Sequence, residues 1–143
     1  MITRIEFAPA HLGALQLQDA QSYFGPLLSD VHYGEELRAA GPAYSIMCDG
    51  RVIACAGVAE IWTGRGMAWS LLADGIGDAF VGLHRMVKRF LWRECGIRRI
   101  EAYVDRDFAA GHRWVRLLGF ECEGTMRAFG QHGGDMAMYS RVI

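Results

Sequence analysis

MAWSLLADGIGDAFVGLHRMVKRFLWRECGIRRIEAYVD, residues 67–105, is the stretch whose reading decides the fold. Residues 67–73 read as a strand that breaks at an elbow, 74–78, where Gly75 and Gly77 interrupt any regular element. From 79 to 95 the apolar residues Phe80, Leu83, Val87, Phe90 and Leu91 recur at three- and four-residue spacing, the stripe of a helix with one buried face. His84, Arg85, Lys88, Arg89 and Arg93 take the other side, Gly96 closes the helix, and 99–105 read as a second strand. A strand-helix-strand crossover makes its two strands parallel and sets the elbow's free N–H groups at a helix N-terminus beside a strand end. Such a corner suits an anionic ligand, although Asp78 is also placed to cap the helix itself.

Upstream, residues 2–7 alternate as a half-buried strand, and Pro9 opens a helix that should carry Leu12, Leu15, Leu17 and Ala20 before Pro26 limits it. A second helix over about 30–39 is capped by Ser29 or Asp30 and stopped at Gly41-Pro42. Two strands, 44–48 and 51–61, flank Asp49-Gly50, a tight-hairpin signal. In an unbroken register Cys48 faces Arg51 and Cys55 lies opposite Tyr44. A second hairpin at 63–66 leads into 67–73 and completes a three-stranded antiparallel meander. Downstream, a helix over 109–118 carries Trp114, Leu117 and Leu118 inward and ends at Gly119. Strands at 120–127 and 135–142 then enclose the glycine-rich loop 130–134.

The 143 residues suit one domain, and with 52% hydrophobic and 22% charged residues the chain has the composition of a globule, not of a disordered segment. No apolar run approaches the ~20 residues of a membrane span, and the opening MITRIEFAPAHL has no secretory pattern, so the expected setting is cytoplasmic, with no membrane partner. Cys48, Cys55, Cys95 and Cys122 form no C-x-x-C, so reduced thiols and no metal site are expected. Charge is segregated. Residues 1–80 hold Arg4, Arg38, Arg51 and Arg65 against nine acidic side chains, whereas 85–116 hold Arg85, Lys88, Arg89, Arg93, Arg98, Arg99, Arg106, Arg113 and Arg116 against four. That field suits a nucleotide-like anion. Without interleaved aromatics, a helix-turn-helix or a zinc pattern, nucleic-acid binding ranks last.

The element order, together with Trp114-Val115-Arg116-Leu117-Leu118-Gly119-Phe120 at the last helix-strand junction, resembles the GNAT N-acetyltransferase superfamily over the whole chain, 1–143. The resemblance implies an α/β (α+β) fold: a mixed sheet of about seven strands, an antiparallel meander joined to a parallel fourth and fifth strand, and four helices. It implies acetyl-CoA as cofactor, its pantetheine chain along Ser70, Leu71, Leu72 and Ala73 and its pyrophosphate at Gly75, Ile76, Gly77 and Asp78, with Phe108 beside it. The implied activity is acetyl transfer to an amine of a small molecule or peptide, by a protein that the resemblance also admits as a homodimer.

Such a transfer needs a base for the ammonium, donors for the oxyanion and an acid for the thiolate. Glu60 is the candidate base, Ser70 a donor to the thiolate and Tyr139 an acid, while His112 reads as a surface residue of the late helix. The tyrosine that the family commonly carries in that helix falls at Val115, and the elbow is shorter than the family's phosphate loop and bracketed by Asp74 and Asp78. More loosely, these departures resemble the small GNAT-like proteins of tailed bacteriophages. That likeness implies a catalytically degenerate protein of the host cytoplasm that acts in virion assembly, with phage structural proteins as partners.

Overall fold

The computed structural model describes residues 1–143. Strand β1 (Ile2–Glu6) pairs antiparallel with β2 (Ala43–Cys48). Asp49 and Gly50 take φ of 49° and 80°, the left-handed pair of a tight hairpin turn, and pass the chain to β3 (Arg51–Trp62). A bulge between Ile46 and Met47 shifts this register by one, so Cys55 lies opposite Ser45 and not Tyr44, while Cys48 still faces Arg51. Strand β4 (Arg65–Leu72) completes the meander after Thr63-Gly64.

Between β1 and β2 the expected helix over 9–20 is broken. Helix α1 (Pro9–Gly13) stops after little more than a turn, a 3-10 turn covers Asp19–Phe24, and α2 (Gly25–Leu28) and α3 (Val31–Ala40) follow. Residues 16–18 are extended instead, because Leu17 forms an antiparallel bridge with Ala73. Asp30 caps α3 as expected, its carboxylate accepting from the His32 N–H at 2.9 Å. The crossover helix α4 (Ala79–Arg89) continues through a π-helical turn at Phe90–Glu94 into β5 (Arg99–Asp105), followed by α5 (Ala109–Leu117), β6 (Glu121–Met126) and β7 (Met136–Val142). The five α-helices include the expected elements over about 30–39, 79–95 and 109–118; the first expected helix is shortened to α1, and the one-turn α2 lies beyond its expected range.

The seven strands run in the order β1-β2-β3-β4-β5-β7-β6, and every neighbouring pair is antiparallel except β4 and β5. Successive side chains leave opposite faces. On one face the Tyr44 and Phe90 rings meet at 4.9 Å, and α4 packs on α5 where Trp114 Nε1 donates to His84 Nδ1 at 3.1 Å. On the other, Phe7 meets Trp69 at 5.6 Å and His11 Nδ1 lies 2.8 Å from the Ser45 hydroxyl below α1. Leu12, Ile46, Val58, Leu83 and Ile100 are fully buried between these layers. The inward stripe of α5 is Val115 and Leu118; Leu117, expected inward, is 60% exposed, since at 3.6 residues per turn it stands about 200° round the helix from Val115.

Candidate active site

Strands β4 and β5 are paired only at Arg65↔Arg99, Gly66↔Ile100 and Met67↔Glu101. Beyond that rung they diverge, so residues 68–72 and 102–105 border a gap. At its far end stands the elbow, with Gly75 and Gly77 at φ of 66° and 57°, a conformation that disfavours any residue with a Cβ. The first amides of α4 turn back, Ala79 to the Ile76 carbonyl at 3.2 Å and Phe80 to the Gly77 carbonyl at 3.1 Å. Those of Gly77 and Asp78 meet no acceptor within the chain. Asp78, expected to cap α4, makes no capping bond, and its exposed carboxylate stands beside the free amides. Arg51 secures the other side, donating from Nη2 to the Asp74 carbonyl at 2.6 Å.

The open edge of β4 is engaged by the chain itself. Backbone groups of alternate residues point to opposite edges. Since Ala73 N–H donates to Ile53 O on β3 at 2.9 Å, the polar groups of Ser70 and Leu72 face the gap. There Gln21 Nε2 donates to Ser70 O at 2.8 Å, and Leu72 N–H donates to Gln21 Oε1 at 2.9 Å. Gln18 N–H donates to Leu72 O at 3.0 Å, and Asp74 N–H to Gln16 O at 2.7 Å. The sequence reading missed this segment. The signal was present in Leu15-Gln16-Leu17-Gln18, whose strict apolar-polar alternation is that of a strand and not of a helix.

At the closed end of the gap Glu101, 1% exposed, accepts from Arg65 Nε at 2.6 Å and Nη2 at 3.0 Å, from Arg99 Nε at 2.8 Å and from Tyr103 Oη at 2.8 Å. The hydrogen bond from Arg65, with those from Arg99 and Tyr103, outweighs desolvation and holds its carboxyl down to about 2. Saturated and ionised, Glu101 is no base near neutral pH. Arg99 continues outward, gripping both oxygens of Glu123 at 2.8 and 3.0 Å.

Of the sequence candidates, Ser70 alone among the catalytic ones borders the gap; it is half-buried. Glu60 is exposed opposite Gly66, where β4 and β5 are still paired, about 13 Å along the strand from the level of Ser70. Tyr139 lies one strand beyond β5, opposite Ala102 and 1% exposed. Its hydroxyl is 2.7 Å from Nδ1 of His112, which is half-buried and not a surface residue, and His112 Nε2 is 3.1 Å from the Arg106 carbonyl. A carbonyl only accepts, so Nε2 carries a proton, and in the neutral ring the Tyr139 hydroxyl donates to Nδ1. Of the cofactor candidates, Leu71 and Ala73 are buried with their backbone turned to β3, Ile76 packs against the core, and Phe108 folds over Gly111 at the start of α5. Outside the gap, His84, Arg85, Lys88, Arg89, Trp92 and Arg93 line a basic surface groove of about 500 Å³ along α4. Burial first, then Lys88 and Arg85, push the His84 imidazole down from its ordinary value.

No protein-family model and no curated protein matches the sequence. Solved structures do match the whole architecture. Ard1 from Thermoplasma volcanium superposes at a TM-score of 0.77 with 16% identity over 99% of this chain and 97% of that one. An acetyltransferase of the GNAT family from Streptococcus pneumoniae superposes at 0.71 with 11% identity, covering 100% of this chain and 99% of its own. RimL, a ribosomal L7/L12 alpha-N-protein acetyltransferase in complex with coenzyme A, gives 0.70 with 18% identity over 99% and 94%. The chain has the GNAT fold. Its parallel pair, its splay and its glycine elbow stand where the sequence resemblance to GNAT proteins located them, and no helix is long and apolar enough to cross a membrane.

Proposed function

We propose that the protein is an acetyl-CoA-dependent N-acyltransferase acting on an amine of a small molecule or peptide. The carrying observation is the gap that opens between β4 and β5 after Met67↔Glu101 and ends at two left-handed glycines with free amides. An extended amide-bearing chain suits the strand edge that Gln18 and Gln21 engage here, and a diphosphate suits amides at a helix N-terminus. When bound, acetyl-CoA supplies an acyl thioester. The groups to hold it are the backbone of Ser70 and Leu72 and the amides of Gly77 and Asp78, with Ser70 a hydroxyl-bearing residue on the strand that borders the gap. The amine nitrogen would form its bond to the thioester carbonyl carbon, the carbon-sulfur bond would break, and the ammonium proton would pass to solvent or to the thiolate. Titration calorimetry with acetyl-CoA and thiol release over a panel of amines tests the reading. Sub-millimolar binding with amine-dependent thiol release supports it, and no binding at millimolar acetyl-CoA overturns it.

Two observations favour a second reading, a catalytically degenerate GNAT-fold protein with a role in assembly, phage structural proteins being the partners the sequence resemblance suggests. The edge that a carrier needs is held by Gln21 and Gln18, and α5 places Val115 where an acid tyrosine is expected. Absence of amine-dependent thiol release, with or without acetyl-CoA binding, would support this second reading.

A further inference from the structure

We propose that residues 16–21 form a strap gating the open edge of β4, with the Gln21 carboxamide as its latch. An extended amide-bearing ligand then enters only as the strap lets go; the proposal rests on reading that edge as the ligand groove. The latch has the chemistry of the ligand it excludes. One primary amide supplies a donor to Ser70 O and an acceptor to Leu72 N–H, the pair of strand groups two residues apart that a docking amide chain would need. Leu72 O is taken by Gln18 N–H, so no backbone polar group of Leu72 is free while the strap is down.

The strap is held by these bonds more than by packing. Neither the 3-10 turn that carries Gln21 nor α2 behind it fully buries a residue: Leu17, Phe24 and Leu28 are only partly buried where they pack on the core, beside a groove of about 360 Å³ lined by Leu12, Leu15, Leu17 and Leu28. Gly13 and Gly25 flank it, each with open space where a side chain would stand, so both ends have room for a hinge. The opposite edge of the same strand tip is different: Ala73, a buried residue, has its N–H bonded to Ile53 O inside the sheet. Within three consecutive residues the amides of Leu72 and Asp74 report the strap, and that of Ala73 reports the sheet.

Native-state amide hydrogen exchange by NMR on the full chain tests this without any ligand. Leu72 and Asp74 should exchange through local opening at least ~10-fold faster than Ala73, and Gln21→Ala should speed Leu72 by roughly 5–30-fold while leaving Ala73 unchanged. In calorimetry the same variant should bind acetyl-CoA at least about threefold more tightly. Leu72 exchanging as slowly as Ala73, or Gln21→Ala leaving Leu72 unchanged, would overturn the strap, and weaker acetyl-CoA binding by the variant would overturn the latch. If neither protein binds acetyl-CoA while Leu72 exchanges fast and responds to Gln21→Ala, the carrier reading fails and the strap stands as a labile edge cover.

Discussion

Glu101 and Arg141 are buried charges on neighbouring strands; hydrogen bonds fill the capacity of Glu101, and that of Arg141 except at Nε. An ion removed from water costs several kcal/mol unless its hydrogen-bonding capacity is filled. Glu101 fills it with Arg65, Arg99 and Tyr103. Its folded-state pKa lies below the unfolded one, so its contribution is complete above about pH 4.5 and is lost as pH falls toward about 2. That window corresponds to roughly 3 kcal/mol. Denaturant unfolding between pH 6 and 2 should therefore show wild-type stability falling by about that amount beyond the fall in Glu101→Gln, which has no charge to lose there. Arg141, 1% exposed, donates to the carbonyls of Leu91 and Ile97 and to Arg98 O at 3.1 Å, and so ties the end of α4 to the last strand. Arg141→Met leaves those carbonyls unpaired and should cost about 3–5 kcal/mol, read as a shift of the urea midpoint.

At the scale of elements, the elbow and the strap oppose each other at one strand tip. Asp78 makes no capping bond, so its charge is a cost to an anion at the Gly77 amide and brings α4 only the small dipole gain of an exposed acid at a helix N-terminus. Two like charges ~4 Å apart repel by about 1 kcal/mol in water-like surroundings. Asp78→Asn should thus keep the thermal midpoint within about 2 °C and tighten acetyl-CoA binding by a factor of ~2–10, as measured by calorimetry. Gly77→Val puts a β-branched side chain at φ of 57° and should both destabilise by about 1–2 kcal/mol and weaken that binding. The elements that build this tip differ in how far the sequence discloses them. Helix α4, β5 and the Asp49-Gly50 hairpin follow from local periodicity and turn chemistry, which neighbours in sequence determine. The extended strap is disclosed only by the four-residue alternation Leu15–Gln18, too short to outweigh the helical proline and leucine spacing over 9–20 until its partner Ala73, far along the chain, is known. The bulge at Ile46 is hidden for a related reason: it depends on how β2 and β3 meet. For the site, the gap and the glycines were legible, but Gln21 was not, since a carboxamide acting as a backbone surrogate has no sequence pattern of its own.

Over the whole molecule the formal charge is −1, so no global field draws in an anion, and the segregation of charge decides what the ligand feels. The basic groove runs along α4 away from the elbow. At 1.5 Å per residue Lys88 lies about 14 Å and Arg93 about 21 Å from the start of the helix at Ala79. Both exceed the ~8 Å screening length at 0.15 M salt and fall inside the ~30 Å length at 0.01 M. If the ligand's phosphates sit at the elbow, these side chains act on it only through the field. A Lys88→Glu, Arg93→Glu double variant should then bind acetyl-CoA several-fold more weakly than wild type at 0.01 M salt and within about twofold of it at 0.15 M. Titrations at both salt concentrations separate the two ways the groove can matter. A loss that persists at 0.15 M would mean that the ligand reaches into the groove and touches it, which would move the phosphate site from the glycine elbow to the outer face of α4.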